Sequence, residues 1–334
     1  MRSLNSTRIL PWLCAAVVVL ASVAVAPGAS TAGEVTLKLA HTQNAGTAID
    51  KATRKMAERL AELTSGAIEM KLFGASSLGN ERQQVEQVQL GGIDLGIFSN
   101  DYLSNITPEI GVVTLPYIIR DIEHIHKVWE APVGTELMGL LLKKGLRSLG
   151  TYDYSFRNTL TQTHPIKSLN DFKNVKIRVM ETPTVIKTWK LLGANPIPMP
   201  WSEVYSAMQT KVIDAMEAPP ESMWSTKIQE VGKYLTMTKH QYTGSHIIMG
   251  EPAFQRLKPA FQQALLKAGL ENAKYQQEIA LEQNREFLKN LKDFGVQIFE
   301  INVADLQKVV APVYDDFTKS VGGKDWAKQV LAVK

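Results

Sequence analysis

Residues 35–98 read VTLKLAHTQNAGTAIDKATRKMAERLAELTSGAIEMKLFGASSLGNERQQVEQVQLGGIDLGIF. Short apolar runs alternate here with longer segments of helical periodicity, in the order 35–40, 46–65, 67–73, 81–90 and 93–98. In the first helical segment, apolar residues recur at spacings of three and four and so share one face: Ile49, Ala52, Met56, Leu60 and Leu63. Alternating strands and helices predict parallel pairing with right-handed crossovers. The stretch therefore predicts half of a doubly wound α/β sheet.

A second alternating series begins after Pro165. Strand-like and helix-like segments follow one another at 175–179, 184–192, 195–199 and 202–210. The chain has 334 residues, more than a single hydrophobic core comfortably serves, so we predict two lobes that share a crevice. A break near Tyr154 and a return near Gly244 predict two crossings between the lobes. The predicted lobes are 33–154 with 244–283, and 155–243 with 284–334.

The N-terminus, residues 1–32, has the pattern of a secretory signal peptide. Arg2 and Arg8 precede an apolar run from Ile9 to Ala26, and small residues lead to a predicted cleavage site after Ala32. An uncleaved membrane anchor is the competing interpretation, because the run approaches the roughly 20 residues that span a bilayer. We expect cleavage and export. Cys14 is the only cysteine and lies in the removed part, so the exported protein has no thiol and no disulfide.

Composition and spacing argue against several function classes. The formal charge is +4, and loss of Arg2 and Arg8 lowers it to +2. No basic run or aromatic-interleaved basic stripe occurs, so nucleic acid is not expected as a partner. His124 and His126 point in different directions on a predicted helix, and the other histidines have no metal-ligand spacing, which favours a solvated helical face over a metal site. No phosphate loop or nucleophile elbow is present, so we predict no catalytic, metal or cofactor site.

Arg178 lies inside the strand-like run VKIRV at 175–179, where a lone cation has no obvious structural reason to be. A guanidinium is always charged, and burying one without a partner costs several kcal/mol. None of Glu203, Asp214 or Glu217 is an obligatory partner by local spacing, which leaves room for a carboxylate from solution. The alternative is an edge-strand arginine paired with a surface acid. Residue types alone do not separate the two.

Polar residues follow several predicted strands. The loop 41–46 connects the first strand to the first helix, Ser99 and Asn100 end the third strand, and 180–182 follow Arg178. In open α/β sheets, ligands bind outside the carboxyl ends of the strands, and the bare amides at a helix start attract anions. These loops predict the outline of a ligand crevice.

Two longer segments carry a family resemblance, PIKSLNDFKNVKIRV (165–179) and GANPIPMPWSEVYSAMQTKVIDAMEAP (193–219). They resemble the solute-binding proteins of tripartite ATP-independent periplasmic (TRAP) transporters, the DctP family. Further matches are LAHTQNAGT (39–47), SSLGNERQ (76–83), GGIDLGIFS (91–99) and LPYIIRDIEHIHKVW (115–129). The resemblance implies a two-lobed fold like that of type II periplasmic binding proteins. Each lobe would be a mixed sheet flanked by helices, hinged to the other, with the ligand in the cleft between them.

The resemblance also implies a function and residue roles. It implies a periplasmic receptor without enzymatic activity that captures an organic acid and delivers it to the membrane permease subunits of a TRAP transporter. By motif position, Arg178 is expected to bind the ligand carboxylate, Arg157 to assist and Trp201 to pack on the ligand, while Gln43 and Asn44 supply polar contacts. The alternatives are structural: an interlobe salt bridge for Arg178, a loop brace for Arg157, a helix start for Trp201, and loop capping for Gln43 and Asn44.

The chain departs from the sialic-acid-binding relatives in two places. Met216, Glu217 and Ala218 stand where those proteins read Q-E-N, and Ser99 stands where they have a glutamate. Both differences count against sialic acid and leave carboxylate binding in place. If Glu217 faces the crevice, it favours a hydroxylated or sugar acid; backbone capping near Pro219 is the alternative.

Two other functions stay open on the sequence. One is a periplasmic co-receptor that reports the ligand to a membrane sensor. The other is a secreted hydrolase, which is disfavoured because no nucleophile, base and orienting residue are apparent together. We expect a monomer, although the long helical C-terminal third would also suit a dimer.

Overall fold

A computed structural model describes residues 34–334. The predicted signal peptide, with Cys14, lies outside the described residues. The strands are β1 Val35–Ala40, β2 Ile68–Phe73, β3 Leu95–Ser99, β4 Leu146–Thr161, β5 Lys176–Val179, β6 Asn195–Pro198, β7 Ala215–Ala218, β8 Tyr234–Gly250 and β9 Gln297–Phe299.

Helices cover the sheet formed by these strands. They are α1 Ala48–Leu63, α2 Glu81–Leu90, α3 Asn100–Ser104, α4 Ile122–Glu130, α5 Pro132–Lys143, α6 Pro183–Leu191, α7 Val204–Gln209, α8 Pro220–Ser225, α9 Glu251–Gln255, α10 Pro259–Phe294, α11 Val303–Val310, α12 Pro312–Ser320 and α13 Trp326–Ala332. Short 3-10 turns lie at Pro108–Thr114, Leu169–Phe172, Trp201–Glu203 and Ile228–Glu230. In the part of the chain from 34 onward, no helix has both the length and the apolar character needed to cross a bilayer.

The sheet has the strand order β2-β1-β3-β8-β4-β7-β5-β6, with β9 beside β8. Strand β1 pairs in parallel with β2 and β3, and β5 pairs in parallel with β6 and β7. The long strands β4 and β8 pair antiparallel to each other in the middle. Two parallel α/β units are therefore joined through a central antiparallel pair. This arrangement confirms the α/β, two-lobed fold class predicted from the sequence.

Helix α1 forms as its sequence predicts. The Thr47 side chain caps its N-terminus by accepting a hydrogen bond from the Asp50 amide at 3.3 Å. Ile49, Met56 and Leu60 are fully buried against the sheet. Burial of one such side chain stabilises the fold by roughly 1.5–3 kcal/mol, so the apolar face fixes α1 against the first parallel unit.

The two predicted crossings between the lobes fall inside long strands. Strand β4 runs without interruption from Leu146 to Thr161 and contains Tyr154, and β8 runs from Tyr234 to Gly250 and contains Gly244. A register shift in the pairing of the two strands lies between Asp153 and Ser155. Apolar periodicity did not indicate these strands because many of their buried residues are polar, among them Arg157, Thr159, Thr236, Thr238, Gln241 and Thr243.

The helix predicted across residues 121–144 is two helices, because Pro132 cannot donate the backbone hydrogen bond that would continue α4. The solvated face predicted for His124 is also wrong. Its side chain is buried, accepts from the Arg120 amide at Nδ1 (3.2 Å) and contacts the Val330 carbonyl through Nε2 (3.1 Å). No cluster of three possible metal ligands occurs between residues 34 and 334.

Helix α10 is 36 residues long and ends where Gly295 adopts a left-handed φ of 110°. Near its middle, Asn272 donates to the Ala52 carbonyl of α1 at 2.7 Å. Near its end, Leu291 is buried in the cluster that contains β7 and α7 residues. The predicted lobe boundary between residues 283 and 284 falls inside this helix, so α10 connects the two parallel units. The residue limits of the lobes stay a prediction.

Candidate functional site

A cavity lies where the carboxyl ends of β1, β3, β5 and β7 meet the middle of β4 and β8. It holds about 410 Å³ of space between protein atoms, part of it open to solvent. It is lined by Thr42, Gln43, Glu81, Ser99, Tyr102, Tyr154, Arg157, Arg178, Met180, Trp201, Ala218, Pro219, Ser222 and Thr243. Five of the seven residues predicted to bind ligand are among them. Asn44 and Glu217 are not.

Arg178 is buried in β5 with 1% of its surface exposed. Its Nε and Nη2 donate to the Met199 carbonyl at 3.0 and 2.8 Å. Both Nη1 hydrogens and the second hydrogen on Nη2 have no hydrogen-bond partner in the part of the chain that the structure describes. Burial lowers the pKa of Arg178 from its usual value, and no carboxylate between residues 34 and 334 forms an ion pair with it. A fixed, desolvated guanidinium therefore lines the cavity with donors to spare.

Arg157 also lines the cavity, but an acidic side chain already neutralises it. Its Nε and Nη2 donate to the Glu217 carboxylate, the Nη2 bond to Oε1 measuring 2.9 Å, and Nη2 donates to the Glu217 carbonyl at 2.7 Å. Its Nη1 donates to the Thr243 hydroxyl at 3.1 Å. One Nη1 hydrogen remains for a ligand. These contacts tie Arg157 to β7 and β8, and it still faces the cavity.

Glu217 lies behind Arg157, fully buried and outside the cavity lining. Its Oε2 also contacts His240 Nε2 at 3.1 Å. Burial alone would raise the pKa of Glu217, but Arg157 and His240 outweigh burial and lower it to about 2. Glu217 is therefore ionised and bound to Arg157, so it is placed to orient Arg157 rather than to contact a ligand hydroxyl.

The structure does bring a hydroxyl, an imidazole and a carboxylate into a row of contacting side chains, which the sequence did not indicate. The Thr238 hydroxyl contacts His240 Nδ1 at 2.9 Å, and His240 in turn contacts Glu217. Thr238 is 1% exposed and does not line the cavity, so no substrate reaches its oxygen. Burial lowers the pKa of His240, which keeps the imidazole neutral. This row of contacts positions Glu217 rather than making the Thr238 hydroxyl a nucleophile.

The remaining predicted residues divide between the cavity and its supports. Gln43 and Ser99 line the cavity, and the Ser99 amide donates to Glu81 Oε1 at 2.5 Å. Asn44 instead donates through Nδ2 to the Ser225 carbonyl at 2.8 Å, so it ties the β1–α1 loop to the end of α8. The Trp201 ring centroid lies 5.4 Å from the Arg178 guanidinium carbon, within cation–π range.

Several cavity residues were missed from the sequence. Glu81 at the start of α2, Tyr102 in α3, Tyr154 in β4 and Ser222 in α8 all line the cavity. Only Glu81 had a usable signal, because it lies in the SSLGNERQ segment that carried the family resemblance. Tyr154 lies on β4, close to the predicted chain break, so its position in the site could not be foreseen.

Glu221 forms a buried contact beside the cavity. Its Oε1 accepts from the Ala48 amide in the first turn of α1 at 2.8 Å, while Oε2 has no partner among the described residues. Burial raises the pKa of Glu221 to about 7, against the opposing effects of the Ala48 amide and Lys51. An acid whose folded-state pKa is raised stabilises the fold below its unfolded pKa, and that contribution is lost as pH rises through about 7.

We therefore expect wild-type stability to fall between pH 5 and pH 8 relative to a Glu221→Gln variant, by roughly 3 kcal/mol. The amide keeps an acceptor for Ala48 and carries no charge to bury. Thermal or urea unfolding of both proteins at the two pH values measures the difference. Glu86→Gln on the exposed side of α2 is the matched control and should show no such trend. An equal difference between wild type and Glu221→Gln at both pH values would contradict the prediction.

Comparison with known proteins decides the family. The model of the bacterial extracellular solute-binding protein family 7, DctP, matches residues 39–320. The chain belongs to this family. A 2,3-diketo-L-gulonate-binding periplasmic protein of Escherichia coli K12 is 33% identical over 290 residues, which are 85% of this DctP-family chain and 87% of that protein.

Solved structures of TRAP periplasmic solute-binding proteins have the same fold as this DctP-family protein. One from Citrobacter koseri, with bound D-glucuronate, is 32% identical at a TM-score of 0.85. The match covers 90% of this chain and 99% of that protein's chain. One from Sulfurospirillum deleyianum, with bound succinate, is 30% identical at a TM-score of 0.87, with coverages of 90% and 100%. The family resemblance and the fold class inferred from the sequence are both confirmed. The family is one of periplasmic binding proteins rather than enzymes.

Proposed function

We propose that this protein captures an organic acid in the periplasm through a salt bridge between the ligand carboxylate and Arg178. It has no enzymatic activity, and it delivers the acid to the membrane permease subunits of a TRAP transporter. The observation that carries the proposal is that Arg178 is 1% exposed, lines the cavity and forms no ion pair with a described residue. A buried guanidinium of this kind needs an anion, and one arriving through the cavity would supply it.

The geometry around Arg178 supports a carboxylate in particular. A planar guanidinium with neighbouring free N–H groups matches the two oxygens of a carboxylate, and charged hydrogen bonds contribute roughly 1.5–3 kcal/mol each. Trp201 and the spare Nη1 hydrogen of Arg157 add apolar and polar contact. Together these contributions reach a large part of the roughly 8 kcal/mol of a micromolar receptor. Relatives with bound D-glucuronate and succinate favour the same ligand class.

Calorimetry on the protein without residues 1–32 tests the proposal with a panel of aldonic, uronic and dicarboxylic acids. We expect at least one acid to bind with a Kd at or below about 10 micromolar. D-Glucose is the matched control for D-glucuronate, because the two differ in the carboxylate, and it should not bind detectably. Equal binding of the neutral sugar, or no binding by any acid, would contradict the proposal. Turnover of a bound acid would contradict the absence of enzymatic activity.

Delivery needs a separate measurement. Uptake of the labelled acid into vesicles that contain the TRAP permease subunits should require this protein. Uptake that proceeds equally without it would remove the transport part of the proposal. The family match favours transport over the co-receptor alternative.

A further inference from the structure

The charged groups that line the cavity are unevenly distributed. Arg178 is unpaired, Arg157 is neutralised by Glu217, and Glu81 lines the same cavity with a carboxylate. The lining therefore offers one guanidinium that is free to meet an anion. It offers no second unpaired cation for another anionic group.

Glu81 is fixed within the cavity wall. It begins α2, and the Ser99 amide at the end of β3 donates to its Oε1 at 2.5 Å, which orients the carboxylate. Arg178 belongs to β5 in the other parallel unit, and no ion pair joins it to Glu81. The two groups are therefore more than an ion-pair distance apart across one small space. Both residues line the same cavity, and the charge of Arg178 acts on Glu81. We therefore expect a ligand whose carboxylate is bound at Arg178 to lie beside Glu81.

We propose that Glu81 makes the cavity selective for monocarboxylates that carry hydroxyl groups, and selective against dicarboxylates. The proposal rests on the proposed function, since it assumes that the ligand carboxylate is bound at Arg178. A carboxylate accepts hydrogen bonds from ligand hydroxyls, and a site built to bind a hydroxyl strongly rejects an analogue without it. A second ligand carboxylate instead meets a like charge in a desolvated site, which costs binding.

The protonation of Glu81 sets the strength of this selection. Burial raises its pKa to about 7 and the charge of Asp101 adds to the shift, while the Ser99 hydrogen bonds and Arg178 oppose it. Tyr102 and Tyr154 also lie near Glu81, and the Tyr102 hydroxyl donates to Glu181 at 3.3 Å. Above about pH 7 the carboxylate is ionised and repels a dicarboxylate; below it, the protonated acid donates a hydrogen bond to one. Discrimination against dicarboxylates should therefore increase with pH.

Matched ligand pairs test the proposal by calorimetry. D-Gluconate and D-glucarate differ in having a hydroxymethyl group or a carboxylate at the far end, as do D-galactonate and D-galactarate, and 4-hydroxybutyrate and succinate. We expect the wild-type protein to bind the monocarboxylate of a pair at least tenfold more tightly at pH 8, about 1.4 kcal/mol, and less selectively at pH 5.5. Within the monocarboxylates, gluconate or galactonate should bind more tightly than 4-hydroxybutyrate.

The Glu81→Gln variant should lower the discrimination at pH 8 at least fivefold and remove most of its pH dependence. Glu86 is an exposed carboxylate on the same helix, so Glu86→Gln should leave the discrimination and its pH dependence unchanged. This inference alone is overturned if the wild-type protein binds the dicarboxylate of a pair as tightly as the monocarboxylate at pH 8. It is also overturned if the ratio of the two Kd values is unchanged in Glu81→Gln. Failure of every acid to bind, with the folded protein verified, overturns the proposed function and the inference with it.

Discussion

Replacement of Arg178 by alanine is expected to weaken binding of the captured acid by at least about a hundredfold. The estimate follows from loss of two charged hydrogen bonds of roughly 1.5–3 kcal/mol each, at 1.4 kcal/mol per tenfold change. Arg178→Lys keeps the charge and loses the planar fork, so it should bind with intermediate affinity. Calorimetry with the tightest-binding acid at pH 7.5 measures both.

A matched control separates lost recognition from lost folding. Arg147 forms a two-bond ion pair with Glu251, at 2.6 and 2.8 Å, outside the cavity lining. Arg147→Ala should leave the Kd within about twofold of wild type, because it removes a guanidinium that does not line the cavity. Arg178→Ala also leaves the Met199 carbonyl without its donors, which lowers stability. The melting temperature of the variant must therefore be measured together with its Kd. Near wild-type affinity in a folded Arg178→Ala protein would remove Arg178 from the site.

The sequence predicted the helices and strands that are buried through apolar side chains. The fully buried Ile49, Met56 and Leu60 in α1 lie on the face that their spacing indicated. The first part of β8 was missed for the opposite reason. Its buried residues include Thr236, His240 and Gln241, and a strand buried through polar side chains has no hydrophobic alternation to detect.

The candidate site was partly predictable for a related reason. Arg178 stood out because a cation inside a short strand conflicts with its surroundings, and such conflicts mark functional positions. The partner of Arg157 could not be read locally, since Glu217 is 60 residues away and reaches it only because β4 and β7 are neighbours. Glu81 approaches Ser99 through the contact of α2 with β3, which is also a tertiary property.

Replacement of Glu217 by glutamine is expected to cause the largest loss of stability, about 3–5 kcal/mol, because it leaves Arg157 buried and uncompensated. The folded-state pKa of Glu217 is about 2, below its unfolded value. Its contribution is therefore present above the unfolded pKa and is lost as pH falls toward 2. Urea unfolding at pH 7 and at pH 3 should show a large difference between wild type and variant at pH 7 and a smaller one at pH 3.

A double variant distinguishes an unpaired charge from lost packing. In Arg157→Met with Glu217→Leu, neither charge of the pair remains to be buried, and such apolar replacements of a buried ion pair are often neutral. We therefore expect the double variant to regain part of the stability lost in Glu217→Gln, although His240 Nε2 loses its partner. If the double variant is less stable than the single one, the pair acts through packing and hydrogen bonds rather than through charge. The affinity of the double variant then reports what the Arg157 guanidinium adds to ligand binding, because Arg178 remains in place.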